Sequence, residues 1–202
     1  KSIELSLLLS IPASLGLILA SEQIVNALFG YGSFNIKDIE MTASALKYFG
    51  FGIPAFALIK VLANFFFARD NTKLPFYLSL FIVFLNILIS LSFFRTLGFI
   101  IIPIATSIST WMGIFAYIFL LNKLNFLKFE IFLLKNIVKI IISAILMAGI
   151  LNYGLEYFYE SLDYFNKFKS IYLFIIVGFV ATIYLISCYL LGVLKIKNYK
   201  TN

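Results

Sequence analysis

Six stretches of about twenty mostly apolar residues follow one another along the chain, separated by short segments that carry most of its polar and charged residues. About twenty apolar residues are what an α-helix needs to cross the hydrocarbon core of a bilayer. The pattern therefore predicts an all-α, polytopic membrane protein with six transmembrane helices, at 3–28, 42–68, 75–94, 99–121, 131–153 and 170–194.

Turn-forming residues and charges separate the predicted helices. The segment 30–40 contains Gly, Ser and Asn, and 95–98 ends in glycine. The link 122–130 is basic, and 155–169 is aromatic and acidic. Within the first helix, Pro12 removes one backbone N–H, and a local kink is tolerated there if neighbours satisfy the carbonyl that it leaves without a partner.

Composition excludes several classes of function. The sequence is 62% hydrophobic and 12% charged, with a mean hydropathy of +1.04, which lies outside the range of soluble globular domains. It has no histidine and one cysteine, Cys188, so we expect no disulfide framework, no Cys/His metal site and no histidine acid–base chemistry. It has no Gly-rich phosphate loop and no nucleophile beside a base, so neither an enzyme nor an ATPase is predicted.

The positive charges predict the orientation of the chain. The net charge is +7, but the basic residues fall mainly between the apolar stretches, which favours the positive-inside rule over nucleic-acid binding. An even number of helices places both ends of the chain on one side. That side carries ten basic residues and the other five: Lys1, Arg69, Lys73, Lys123, Lys128, Lys135, Lys139, Lys195, Lys197 and Lys200 against Lys37, Lys47, Arg95, Lys167 and Lys169. Both ends are therefore predicted to be cytoplasmic.

One cation lies inside the second apolar stretch. Burying a charge in lipid is costly, so Lys60 should face protein, water or a polar ligand, the alternative being a lysine bonded to carbonyls or snorkelling. Arg69 follows nine positions later, about 13 Å along the helix and on roughly the opposite face. With Asp70 and Lys73 it marks the membrane boundary, where fastening the loop is favoured over contact with a cargo.

A second set of candidates is polar but uncharged. Asn86 and Ser90 lie one turn apart on the third predicted helix, and Thr106 and Thr110 repeat that spacing on the fourth. Their oxygens suit a monovalent cation such as Na⁺, completed by a carboxylate from elsewhere. Hydrogen bonds between the two helices are the favoured interpretation.

The second predicted helix carries a distinctive string. It contains Gly52, Ile53, Pro54 and Ala55, then Lys60, Val61 and Leu62, then FFARDNTKLP at 66–75. This string resembles the G-x-P-A…K-V-L…F-Y-A-R-x-D-T-K-x-P signature of the MurJ (MviN) family of bacterial lipid II flippases. The stretches IPA at 11–13, ALFGYGSF at 27–34 and ATSIS at 105–109 support the resemblance. Phe67 stands where the family has Tyr, and Asn71 where it has Asp.

The resemblance implies a partial exporter fold of the multidrug/oligosaccharidyl-lipid/polysaccharide (MATE-like) type. In that fold two six-helix lobes face each other across a cationic cavity, and two further helices form a lipid groove. Residues 1–122 would be second-lobe helices nine to twelve, and 123–202 the groove pair, helices thirteen and fourteen. The arginine-rich N-terminal lobe is not in this sequence. Because the chain begins at Lys1 and not at Met, we expect it to be the C-terminal piece of a longer protein.

The implied cargo is lipid II, a polyprenyl tail joined through pyrophosphate to a sugar-peptide head. The family's activity would move this undecaprenyl-linked precursor from the cytoplasmic to the periplasmic leaflet of the bacterial inner membrane by alternating access. We take Lys60, Asn64, Arg69 and Lys73 as candidate contacts for it. We expect no cofactor, with Na⁺ or the membrane potential as the energy source. The expected partners are lipid II, membrane lipids and the missing N-terminal lobe, and no nucleic acid.

Two alternatives remain open on the sequence. One is a related exporter of other polyprenyl-linked oligosaccharides or of drugs, and the other is a membrane scaffold that transports nothing. An exporter of cationic drugs is expected to carry acids in its cavity. The lysine at position 60 instead favours an anionic cargo.

Overall fold

The structure is a computed structural model that describes residues 1–124 and 131–193, without the side chains of 131 and 132. All regular structure in these two ranges is helical. Seven α-helices run in order: α1 Ser2–Leu19, α2 Ser21–Phe29, α3 Ile36–Phe67, α4 Lys73–Leu97, α5 Ile101–Lys123, α6 Ile131–Tyr157 and α7 Lys169–Leu190. Two 3₁₀ turns, Gly98–Ile100 and Glu160–Leu162, precede α5 and α7.

Five helical segments of the described chain are long and apolar enough to cross a membrane. One of them, Lys73–Lys123, has 51 residues and folds back at Gly98, whose φ of 60° suits glycine. Its halves run antiparallel, since Asn86 bonds Thr106 and Gly113 lies against Ile82. The described residues therefore hold six apolar helices of membrane-spanning length, α1, α3, α4, α5, α6 and α7. The prediction of an all-α, polytopic membrane protein is confirmed.

Two predicted boundaries were wrong. The single helix predicted at 3–28 is interrupted at the buried Ala20, whose φ of −103° and ψ of 17° depart from helical values, and α2 begins at Ser21. The helix predicted from 42 begins at 36, within the predicted loop. There Asn35 Oδ1 accepts from the Asp38 N–H at 3.1 Å, and Asp38 Oδ2 accepts from the Asn35 N–H at 3.0 Å. This capping box stabilises the extra turns.

The helices pack around two main apolar clusters. One joins α1 and α2 to α6 and α7, and the other joins α3, α4 and α5. Helix α1 packs closely on α3 at Gly50, since a Cβ there would lie 2.9 Å from Ile18 Cγ1. The predicted division at residue 122 falls at the end of α5, whereas the first cluster groups α1 and α2 with α6 and α7. The lobe and groove-pair assignment stays a prediction.

Hydroxyl groups satisfy the carbonyls that two prolines leave without a partner. Pro12 lacks the N–H that would bond the Leu8 carbonyl, and Tyr184 donates to that oxygen from α7 at 2.7 Å. Pro54 does the same to the Gly50 carbonyl, which accepts from Ser14 of α1 at 2.8 Å. A neighbouring helix thus satisfies both carbonyls, and each proline marks a point of attachment between helices.

The bundle has two ends. The Lys1 end holds the start of α1, the α3–α4 turn and the last turn of α5. The Gly30 end holds the α2–α3 link and both 3₁₀ turns. Four of the basic residues used to predict orientation, Lys128, Lys195, Lys197 and Lys200, lie outside the described residues.

Candidate functional site

A groove lies between the second half of α3 and the first turns of α4. It has a volume of about 410 Å³, and Tyr117 of α5 contributes to its wall. Lys60 and Asn64 are exposed and line it, one helical turn apart, together with Thr72 and Ser79. The structure therefore brings a cation, an amide and two hydroxyl groups to one groove within the α3–α5 part of the bundle.

Arg69 and Lys73 do not line this groove. Arg69 follows α3 and donates from Nη1 to the Phe65 carbonyl at 2.7 Å, closing the last turn of the helix. Asp70 adopts φ 55°, a left-handed conformation that Asp tolerates, and lets the chain reverse. Lys73 is the first residue of α4 and is exposed. The structure thus places Arg69 and Lys73 at the turn, apart from the Lys60 groove.

The turn also gives Asn71 a local role. Asn71 Oδ1 accepts from the Leu74 N–H at 3.2 Å and so caps the first turn of α4. This is a local structural role for the residue that stands in the place of the family's Asp.

Two of the four uncharged candidates, Asn86 and Thr106, meet between α4 and α5. Asn86 donates from Nδ2 to Thr106 Oγ1 at 2.9 Å, and Thr106 donates in turn to the Ile102 carbonyl at 2.7 Å. Thr110 donates to the Thr106 carbonyl at 2.5 Å. A hydrogen bond therefore joins α4 to α5. One turn further along α4, Ser90 Oγ is buried and makes no hydrogen bond within the described residues.

The described residues contain no group of three or more His, Cys, Asp or Glu side chains placed to hold a metal ion. A cation at the α4–α5 contact would thus be held by neutral oxygens of this chain.

An apolar cleft of about 470 Å³ lies between α1, α6 and α7. One wall is α1 with Pro12 and Gly16, and the facing wall is α7 with Val177 and Ala181. The single polar group among its lining side chains is the hydroxyl of Tyr184, which is already bonded to α1. The cleft can therefore accept a hydrocarbon chain without leaving a buried polar group unsatisfied.

Sequence analysis missed the most fully buried cation in the described chain. The sequence places Lys169 only among the basic residues on the side opposite the termini, but in the structure just 1% of it is exposed. Its Nζ donates to Asn26 Oδ1, the Gly30 carbonyl and the Tyr164 carbonyl at 2.9, 2.6 and 2.8 Å. The sequence gives one weak signal, a lysine directly before an apolar span, and that pattern is common at membrane boundaries.

Residues 1–174 match the protein family described as lipid II flippase MurJ. The chain is 34% identical over 164 residues to a probable lipid II flippase MurJ of Rickettsia prowazekii, covering 79% of this chain and 32% of that protein. It is 30% identical over 201 residues to the corresponding protein of Buchnera aphidicola subsp. Schizaphis graminum, covering 98% and 38%.

The fold is similar to that of a solved lipid II flippase MurJ in an inward closed conformation. The TM-score is 0.77 at 24% identity, over 93% of this chain and 37% of the other. The chain thus spans roughly a third of the length of the relatives that it matches.

Proposed function

The chain belongs to the MurJ family of lipid II flippases, and we propose that it forms the part of a flippase that holds the lipid tail and receives the pyrophosphate. Moving such a lipid across a bilayer requires a cation for the pyrophosphate and an apolar path for the tail. The Lys60 groove and the apolar cleft offer one surface for each. The remaining helices of the full-length protein would complete the path for the sugar-peptide head.

The apolar cleft is the observation that carries this proposal. A helix that only faces bulk lipid needs no concave apolar space between itself and its neighbours. Here α1, α6 and α7 leave about 470 Å³ between them, lined by apolar side chains. Each buried CH₂ group of a polyprenyl tail contributes about 0.8 kcal/mol, so about five such groups give ~4 kcal/mol of binding free energy. An apolar cleft of this kind fits an uncharged hydrocarbon chain.

The Lys60 groove supplies the charge. An exposed lysine beside Asn64 offers an ammonium and an amide to a pyrophosphate. The opposing interpretation, in which Arg69 receives the head group, is weakened by the position of Arg69 at the turn and by its bond to the Phe65 carbonyl. We therefore assign the first contact with the head group to Lys60, and a fastening role to Arg69.

The proposed setting is the bacterial inner membrane with both ends of this chain in the cytoplasm. The excess of basic residues on the side of the termini supports that orientation. The Lys1 end of the bundle then faces the cytoplasm, and the Gly30 end faces the periplasm. Transport would proceed by alternating access, driven by an ion gradient or the membrane potential and without enzymatic chemistry.

Na⁺ is the proposed coupling ion, held between α4 and α5. Ser90 Oγ, buried without a partner, supports the proposal, because oxygen ligands suit hard cations and Asn86 and Thr106 lie on the same contact. In the full-length protein, Na⁺ should raise the melting temperature relative to choline. Ser90→Ala should abolish that difference, while Ser92→Ala, on the same helix but bonded to its own Leu88 carbonyl, should keep it. Equal melting temperatures of the unmodified protein in both salts would rule out this ion.

Depletion of the full-length protein in cells tests the transport proposal. Lipid II reaching the outer leaflet can be measured with an agent that cleaves or labels only exposed head groups. We expect delivery to stop on depletion and to return when the protein is restored. Delivery that continues unchanged would contradict the proposal, and loss of another polyprenyl-linked sugar alone would favour the related exporter.

A further inference from the structure

Lys169 begins α7 inside a closed cage of neutral groups. Its three N–H groups are each used, by an oxygen from α2, an oxygen from the residue that ends α2, and an oxygen from the loop before α7. Two aromatic faces complete the cage, with Nζ 4.4 Å from the centre of the Tyr31 ring and 4.7 Å from that of Tyr164. No carboxylate among the described residues forms a salt bridge with it.

Lys169 belongs to α7, but its charge is stabilised by the end of α2. A positive charge at the start of α7 is opposed by that helix's dipole. The same charge lies at the end of α2, where the last carbonyls have no partner within the helix and the dipole favours a cation. Lys169 is therefore held by α2 more than by α7, and it joins the two helix ends.

Neighbouring bonds reinforce the junction. Ser170 donates from Oγ to the Ala27 carbonyl at 2.7 Å, so two consecutive residues of α7 bond the last turn of α2. Asn26 donates from Nδ2 to the Leu162 carbonyl at 2.9 Å, which ties in the 3₁₀ turn before α7. At Gly30, a Cβ would lie 3.0 Å from Lys169 Nζ and closer still to Asn26, so the close approach requires glycine.

This junction lies at one end of the apolar cleft. Val177, in the cleft wall, follows Lys169 by eight residues, about 12 Å along α7. Further along, Tyr184 ties α7 to the Leu8 carbonyl of α1. Between these two attachments α1 and α7 face each other across the cleft. The separation of the cleft walls is thus set by the Lys169 cage, beyond the Gly30 end of the cleft, and by Tyr184, which lines the cleft itself.

We propose that Lys169 is a positioning residue that clamps α7 onto α2 and keeps the apolar cleft closed at the Gly30 end. A hydrocarbon chain then enters and leaves the cleft along its open side. It also follows that α7 moves together with α1 and α2 and does not swing away from them. The inference rests on the proposed function only for the identity of the chain that the cleft holds.

A distance measurement in the full-length protein tests the clamp. Spin labels at Leu28 and Phe174, both exposed in this structure, report the separation of α2 and α7. In the unmodified protein we expect one narrow distance. Lys169→Met, which nearly keeps the length of the side chain but removes its charge and donors, should broaden the distribution and shift it to longer distances. Lys167→Met removes a charge from the same loop at an exposed position and should leave the distance unchanged.

Two further results decide the matter. If Lys169→Met does not fold, Tyr31→Leu removes one face of the cage, together with the hydroxyl that bonds Ser170 Oγ at 2.8 Å, and should give a smaller change in the same direction. A folded Lys169→Met protein with the unmodified distance distribution would overturn the proposal, as would an unchanged distribution in Tyr31→Leu. Because the distance is measured without any cargo, the result stands whether or not the proposed transport of lipid II is correct.

Discussion

Filling the apolar cleft should weaken binding of a polyprenyl lipid and leave the fold intact. Gly16 lies in the cleft wall on α1, and a Cβ built there meets no described atom within 4 Å. Gly16→Leu would therefore begin its side chain in open space and extend it into the cleft. Leucine also favours helix over glycine by nearly 1 kcal/mol, so stability should not fall.

The magnitude follows from the carbon atoms that the new side chain displaces. A leucine side chain has four carbons, and it takes the place of about four carbons of the bound tail. At ~0.8 kcal/mol for each buried CH₂, the loss is about 3 kcal/mol, or roughly 200-fold in the dissociation constant. The head group still meets Lys60, so binding of a water-soluble head-group analogue should be unchanged.

The assay is equilibrium binding of a fluorescent polyprenyl phosphate to the full-length protein in detergent. Gly178→Leu is the matched control, because a Cβ there also meets open space but the residue does not line the cleft. We expect Gly178→Leu to bind like the unmodified protein. Equal affinity of the Gly16 variant and the control would refute the assignment of the tail to the cleft.

Two further predictions concern the attachments and charges around these surfaces. Tyr184→Phe leaves the Leu8 carbonyl, which Pro12 leaves without a helical partner, buried without a donor, and should lower the free energy of unfolding by about 1–3 kcal/mol. Adding Pro12→Ala restores an N–H for this carbonyl, so the double variant should lose less stability than the sum of the two single variants. Additive losses would contradict the pairing of Tyr184 with this carbonyl. Lys60→Ala should abolish delivery of lipid II in a folded full-length protein, whereas Arg69→Ala should mainly lower the melting temperature, and the opposite result would reverse the two roles.

Much of the fold follows from hydropathy alone because six spans of bilayer length leave little freedom in topology. The exceptions are local. The backbone leaves helical geometry at Ala20 inside an apolar stretch, and hydropathy does not report backbone angles. The Asn35–Asp38 capping box starts α3 among polar residues, before the apolar stretch begins. Hydropathy alone therefore places the start of this helix too late.

The candidate site was predictable only where its chemistry is visible in single residues. Lys60 stands out because a lysine inside an apolar span is costly, and the Asn86–Thr106 contact follows from polar residues at helical spacing on neighbouring helices. The cleft and the Lys169 cage depend on which helices meet, and the pairing of α7 with α1 and α2 joins residues more than 130 positions apart. Apolar spans look alike in sequence, so nothing in their composition selects that pairing.

Photocrosslinking of a lipid II analogue to the full-length protein tests most directly whether the tail binds in the apolar cleft and the pyrophosphate in the Lys60 groove. One analogue carries the reactive group in the polyprenyl tail and a second carries it next to the pyrophosphate. The account predicts that the tail probe labels peptides of α1 and α7 around Gly16 and Ala181, and that the head probe labels the α3 peptide containing Lys60. Labelling of the same peptides by both probes, or of neither surface, would contradict it.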